Sequence, residues 1–318
     1  MSEPKLPEEL LREVLSYCFT IPHESFCGFP TRFHAPLADA RRVAGPELSH
    51  NLLLVCKRWL RVGSPLLYES IALRTSTHAQ TVAILIKQNP ILGRAVRQLK
   101  LFGGYGKDLH TIVKAAPNLQ TVYLNMSMRS SDTITGIKRA LSIMNPTRLY
   151  IEERPRKRNK KTSELRELLN ANIGKWPSLK YIHYNPHYHF TSEMISALKE
   201  ASTLEEVWVD ALSVLSIMDD DDRQLREFLT STSMSKLHCL GTRFQDDVIH
   251  AMEDLQYPDK VQKMMVYEDY ASDGADDVPP YDPLVWDDSD DEFDDMDFAF
   301  APAHFLFMAA ILAQLQHN

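Results

Sequence analysis

Cys18, His23, Cys27 and His34 place two thiols and two imidazoles within a short span, the ligand types of a tetrahedral zinc site. No Cys-x-x-Cys pair is present, however, and Cys18 falls on the apolar face of a helical pattern, where a thiol packs as a small hydrophobe. His183, His187 and His189, in YIHYNPHYH, gather three imidazoles without a clear further ligand and read as strand and surface histidines. Gly103-Gly104-Tyr105-Gly106-Lys107 has the glycines and lysine of a phosphate cradle but not its G-x-x-x-x-G-K-[ST] spacing. It reads instead as a turn out of a strand. Neither G-x-S-x-G nor H-E-x-x-H occurs, and no nucleophile–base pair stands out. The expectation is a non-catalytic chain with no metal and no cofactor. The basic run Arg154, Arg156, Lys157, Arg158, Lys160 and Lys161 reads as a solvated loop or as a nuclear import signal, and nucleic acid is not an expected partner.

The elements that position these side chains begin with a helix. In LPEELLREVLSYC, Leu6, Leu10, Leu11, Val14, Leu15 and Cys18 recur at the spacing of one helical face. Pro7 suits a first turn that needs no N–H there, and Glu8 and Glu9 suit the positive end of the helix dipole. A proline- and aromatic-rich stretch follows and reads as loop. A second helix is expected from Pro46-Glu47, with Leu48, Leu52, Val55, Cys56, Trp59 and Leu60 apolar, ending at Gly63-Ser64-Pro65. About 60 residues make only a marginal core, so the remaining apolar surface must meet the rest of the chain or a partner.

These two helices resemble the F-box. That family shows Leu-Pro, Glu-Leu-Leu and Val/Ile-Leu-Ser-Tyr on its first helix, then a Val-Cys-Lys-x-Trp helix and a Leu-Tyr or Leu-Trp element. Here the matching residues are Leu6-Pro7, Glu9-Leu10-Leu11, Val14-Leu15-Ser16-Tyr17, Val55-Cys56-Lys57-Arg58-Trp59 and Leu67-Tyr68. The wording of residues 51–73, continuing into LRTSTHAQ, is similar to F-box proteins of mushroom-type fungi. The resemblance covers residues 6–73. It departs from the compact pattern in one respect: Trp59 lies 53 positions after Leu6, with the excess between Thr20 and Ala44. Such an insertion is thermodynamically cheap, since doubling a loop costs only about 0.6 kcal/mol.

The resemblance implies docking on the Skp-type adaptor of a cullin–RING (SCF) ubiquitin ligase, the rest of the chain holding an unidentified protein substrate. The implied adaptor contacts are Leu6, Pro7, Leu10, Leu11, Val14, Leu15, Val55, Cys56, Trp59, Leu67 and Tyr68. Periodicity by itself favours the opposite reading, in which the apolar stripe packs on the following domain. In that case the chain is a repeat-type interaction scaffold with no ligase.

From about Ser76 a pattern of helix, break and short strand recurs, the strand having the form Leu-x-x-Φ-x-Φ with Φ apolar. The first Φ falls at 99, 122, 149, 182 and 207, with a further unit placed at 240, so the spacings are 23, 27, 33, 25 and 33. That is close to a leucine-rich-repeat period, although the family's asparagine ladder is missing. Helices are expected over Thr77–Gln88, Ser163–Asn170, Glu193–Glu200 and Arg223–Thr230, and the run at 152–161 as an exposed loop. One strand and one helix per unit implies a solenoid with a parallel sheet.

If Φ faces inward, alternation puts the other strand residues on the outer face. One column then reads Lys100, Tyr123, Tyr150, His183, Trp208, and the next Phe102, Asn125, Glu152, Asn185, Asp210. Exposed aromatics in such a column suit a substrate-binding surface. The alternative is that other segments cover them as core.

Composition fits a folded body, with 44% hydrophobic and 25% charged residues. The longest run without a polar residue, Phe305–Ala313, is shorter than the ~20 residues of a membrane span, so no membrane partner is expected. No basic-then-apolar leader opens the chain, and four irregularly spaced cysteines suit reduced thiols, so the expected location is cytoplasmic, nuclear or both. The net charge of −8 is local: 14 acids lie between Glu268 and Asp297, leaving 29 acids against 35 bases, a balance of +6. The acidic stretch reads as a solvated disordered segment, or as an arm that covers the basic body. Phe305, Met308, Leu312 and Leu315 then recur at helical spacing, as a terminal cap or as a partner-binding helix.

The resulting expectation is an α/β protein in four parts. Residues 1–75 form a small helical F-box-like module with an inserted loop over about 20–44, and residues 76–265 an irregular leucine-rich-repeat-like solenoid with a parallel sheet. Residues 266–297 form the acidic segment and 298–318 a C-terminal capping helix.

Overall fold

The computed structural model describes residues 6–21, 26, 52–128, 132–153, 160–184, 191–241 and 244–268, with the backbone alone for 219–222. His23, Cys27, His34, most of the inserted loop, the start of the second helix at Pro46, Arg154–Asn159, Asn185, His187, His189, the acidic segment beyond Glu268 and the C-terminal helix lie outside these residues.

Helix α1 spans Glu8–Phe19, with Pro7 at its N-cap and Leu11 N–H donating to the Pro7 carbonyl at 3.0 Å. Helix α2 (Lys57–Leu67) leads into β1 (Ser70–Leu73). Then follow α3 (Ser76–Gln88), α4 (Pro90–Ala95), β2 (Gln98–Leu101), α5 (Lys107–Lys114), β3 (Thr121–Asn125), α6 (Thr135–Leu141), β4 (Arg148–Glu152) and α7 (Lys160–Ile173). The described chain continues with β5 (Tyr181–Tyr184), α8 (Ser192–Glu200), β6 (Glu206–Asp210), α9 (Ala211–Ser231), β7 (Lys236–Leu240), α10 (Gln245–Asp254), α11 (Asp259–Met264) and β8 (Met265–Glu268).

The fold is α/β, with one eight-stranded, all-parallel sheet whose strands lie side by side in chain order. Register follows the apolar pattern: Ile71, Leu99, Val122, Leu149, Ile182, Val207, Leu237 and Met265 pair one after another. With Leu73, Leu101, Leu124, Ile151, Tyr184, Val209 and Cys239 they form one buried face. Residues such as Val82, Leu109, Ile137, Leu165, Leu198 and Phe228 from the intervening helices complete that core. The approaches to β3, β4, β5 and β6 close in the same way. The Arg97 carbonyl accepts from Gln120 and Thr121 N–H, that of Gln120 from Thr147 and Arg148, that of Thr147 from Lys180 and Tyr181, and that of Lys180 from Glu205 and Glu206.

Several expectations need correction. The second helix does not end at Gly63-Ser64-Pro65 but runs through it to Leu67. Gly63 is a packing residue here: a Cβ would come within 2.4 Å of Leu53 Cδ2 and 3.1 Å of Phe19 Cε2. Ser64 Oγ donates back to the Leu60 carbonyl at 2.6 Å, inside the helix. Val55 and Cys56 precede α2 in an extended turn and are not helical. In the seventh strand the residue in register with Val207 is Leu237, not Leu240. Glu152 and Glu153 do not begin an exposed loop: both are buried, and Arg166 Nη2 bonds both Glu153 carboxylate oxygens at 2.6 and 2.5 Å. Cys18 is exposed rather than on the buried side of α1. Gly104, with φ +71°, does turn the chain out of β2. Among the described residues no helix is long and apolar enough to cross a membrane.

Candidate functional site

Two surfaces carry the residues singled out from sequence. The first is built by α1 and α2. Leu11, Leu15 and Phe19 on one edge of α1 bury themselves against Leu53, Leu60 and Leu66, with Leu52, Trp59, Val62 and Leu67 half-buried around them. The pair is fixed at its open end by two arginines: Arg61 bonds the Glu8 carboxylate, and Arg58 Nη2 donates to the Leu6 carbonyl. The opposite edge of α1 is apolar too, yet nothing among the described residues covers it. Leu6, Leu10, Val14 and Tyr17 are 44%, 48%, 51% and 83% exposed, and Leu54 and Val55 before α2 are 45% and 60% exposed.

The expected adaptor-contact set is therefore divided. Leu6, Pro7, Leu10, Val14, Val55 and Cys56 are exposed. Leu11 and Leu15 are core between the helices, a correction that follows from the width of the stripe: a helix with apolar residues over two edges buries one of them. Trp59 and Leu67 are half-buried on that core, and Tyr68 is 2% exposed, built into the sheet's core instead.

The second surface is the other face of the sheet. Lys100, Tyr123, Tyr150, His183 and Trp208 pair across β2 to β6 as one column, as the alternation required. His238 extends the column, paired with Trp208. The side chains are less accessible than an open concave face would leave them. Tyr123, Tyr150, His183 and His238 are buried, and Lys100 and Trp208 are half-buried. In the adjoining column Asn125, Glu152 and Asp210 are buried and Phe102 is half-buried. The physical reason is twofold. The rings stack on one another, and Ile21 and Phe26 lie against Tyr123 and Tyr150.

The geometry separates into two ends. At the β2–β4 end, Tyr123 Oη donates to Glu152 Oε2 at 2.5 Å, and Asn125 Nδ2 reaches the same oxygen at 3.4 Å. Lys100 Nζ stands 4.1 Å from the Tyr123 ring centroid and 5.2 Å from that of Phe102. At the β5–β7 end, the Trp208 ring lies 4.0 Å from His238 at 5° and 5.3 Å from His183 at 29°. Glu268 Oε1 is 2.9 Å from His238 Nδ1. Burial, reinforced by the nearby His238, lowers the His183 pKa to about 3, so this imidazole is neutral at physiological pH. No nucleophile–base–orienter arrangement is assembled by these contacts. What these contacts assemble is a set of ring faces with the Lys100 ammonium at one end and buried carboxylates beside them.

Sequence reasoning missed three contributors to this face. Thr121, Arg148, Tyr181, Glu206 and Lys236 form a third column in register on the same face, and were visible as the residue before each first Φ. His238 follows from the same alternation once the seventh strand is set on Leu237. Phe26 gave no signal, because its contact spans 74 positions. Among the described residues no group of three or more His, Cys, Asp or Glu side chains could hold a metal ion. No family model, no curated protein and no solved structure matches this chain.

Proposed function

We propose that this chain is a non-catalytic substrate receptor of an SCF-type ubiquitin ligase, docking on a Skp-type adaptor through α1 and the turn before α2. The observation that carries the reading is the doubled apolar character of α1. One edge, Leu11, Leu15 and Phe19, makes the internal core, while Leu6, Leu10, Val14 and Tyr17 follow at three-to-four spacing and are left exposed by the described residues. Contiguous exposed apolar residues at three-to-four spacing are costly in a monomer and suit helix-to-partner packing. The F-box resemblance assigns that partner. On the same reading, residues 76–265 form an irregular leucine-rich-repeat-like solenoid, which the chain-order parallel sheet and the repeated closure of each unit support. Its outer sheet face is the surface that meets the protein substrate, in the cytoplasm or nucleus.

The test is capture of purified Skp-type adaptor by wild-type protein, by Leu10→Ala/Val14→Ala and by Val55→Ala. Buried interface anchors cost about 2 kcal/mol or more each on truncation. The double variant should therefore lose adaptor binding while unfolding at the wild-type temperature. A folded wild type that does not bind adaptor would leave the interaction-scaffold reading in its place.

A further inference from the structure

Phe26 belongs to the segment between α1 and α2, yet its side chain is 5% exposed and lies on β3 and β4 against Tyr123 and Tyr150. Ile21, Phe102 and Tyr181 rim the same cluster. Lys100 Nζ donates to the Phe26 carbonyl at 2.8 Å and stands 5.9 Å from its ring centroid. Two different recognition elements thus meet at one point: a slot between aromatic rings, and a cationic donor aimed at a main-chain oxygen. The main core on the helix side of the sheet includes neither Phe26 nor Tyr123 nor Tyr150. The slot is therefore additional to the packing that holds strands to helices.

We propose that this slot is a peptide-binding subsite for an aromatic side chain together with its own main-chain carbonyl, and that Phe26 occupies it in cis as an internal surrogate that a partner segment displaces. The proposal rests on reading the outer sheet face as the recognition surface; it does not depend on adaptor docking. The ring supplies buried apolar area and edge or face contacts to Tyr123 and Tyr150. The charge-assisted bond from Lys100 fixes the direction in which the peptide main chain crosses the strands. An occupant tethered in cis acts at an effective concentration of about 1 mM. A competing segment must exceed that threshold, so weak aromatic peptides are refused.

The test uses the full-length chain in reducing buffer and a fluorescently labelled peptide, IPHESFCG, identical to residues 21–28. A control peptide has alanine in place of its phenylalanine. Phe26→Ala opens the slot; Phe26→Leu is a milder variant that keeps apolar contact. Either folded variant should bind the phenylalanine peptide at least tenfold tighter than wild type does, with no saturable binding of the control. Adding Lys100→Met should weaken that binding at least tenfold. A folded variant that binds both peptides alike, or neither, overturns the proposal. So does failure of both variants to fold, since Phe26 would then be an obligatory core residue. Adaptor capture by the same variants separates the two readings. Adaptor binding without peptide binding removes the subsite and leaves the receptor, and the converse removes the receptor and leaves the subsite.

Discussion

His183 makes a quantitative prediction about pH. Its imidazole is buried in the outer-face column, 5.3 Å from Trp208 and 5.7 Å from Tyr150 by ring centroids. Tyr181 Oη lies 3.5 Å from its Nδ1. Burial, with the neighbouring His238 acting in the same sense, lowers its pKa from 6.5 to about 3. The unfolded chain binds a proton at this residue below about pH 6.5, while the folded chain does not until about pH 3, so stability rises with pH across that window. The contribution is fully present at pH 7 and is lost progressively on acidification, at up to about 1.4 kcal/mol per pH unit. Between pH 7 and pH 5 this one group should remove about 2 kcal/mol. Other groups titrate in the same range, among them His78, whose pKa burial and Arg74 also lower. The informative quantity is therefore a difference. His183→Phe keeps a ring of similar size in the column and deletes the titration. Urea unfolding of wild type and His183→Phe at pH 7 and pH 5 should show the variant gaining about 2 kcal/mol relative to wild type at the lower pH. A stability difference between the two proteins that is the same at both pH values would refute the argument.

Three further outcomes follow from the packing. Leu15→Ala, at a site 1% exposed, should cost about 2–5 kcal/mol, whereas its neighbour Val14→Ala, 51% exposed, should change stability by under about 0.5 kcal/mol; equal losses in urea unfolding would contradict the division of α1 into two edges. Gly136→Ala should destabilise by about 1–3 kcal/mol despite the better helix former, because its Cβ would fall 1.7 Å from the Gly106 carbonyl oxygen and 2.5 Å from that of Tyr105, backbone atoms that cannot step aside; a rise in thermal midpoint would show the approach is looser than this. Cys239 is buried and its thiol is pushed up to about 12 by burial and Asp210, while Cys18 and Cys56 are exposed, so mass-mapped alkylation of native protein should modify Cys18 and Cys56 first and Cys239 only on unfolding.

The sheet was legible because its pattern is local. In four strands an apolar residue three positions ahead of the first Φ marks the approach, namely Val96, Leu119, Leu179 and Leu204, all buried. In the seventh strand that leading place is held by Met234, so a pattern that requires leucine there falls on Leu237 and lands three residues late. Tyr68 holds the same leading place before Ile71, which explains why a residue assigned to the adaptor surface is buried in the sheet's core. Alternation placed Lys100, Tyr123, Tyr150, His183 and Trp208 in one register column, and in the adjoining one it paired Asn125 with Glu152. It could not give their accessibility, because the cover over Tyr123 and Tyr150 includes Phe26, brought there by a contact spanning 74 positions. The α2 boundary failed for a related reason. Gly63 and Pro65 are stop signals in isolation, but the close approach of Leu53 and Phe19 makes glycine the residue that fits inside the helix.

The junction between α2 and β1 ties the two surfaces together. Leu67 packs against both the α1–α2 core and the sheet's core. Tyr68, the next residue, is 2% exposed within the sheet's core, and the Glu69 carbonyl accepts from Arg97 and Gln98 N–H at 2.9 and 3.0 Å, the same closure that recurs before each strand from β3 to β7. A 3.1 Å ion pair from Arg97 Nε to Glu69 reinforces it. Only Tyr68 and Glu69 separate the helix from the strand, and both are bound into the sheet. Conformational freedom of the kind a Gly/Ser linker supplies is therefore absent at this joint. A partner held on α1 and a ligand held on the outer face would keep a fixed relative orientation. In the receptor proposed above, that rigidity would convert binding into positioning, because the reach between two bound partners would be set by the sheet and not by diffusion of a tether.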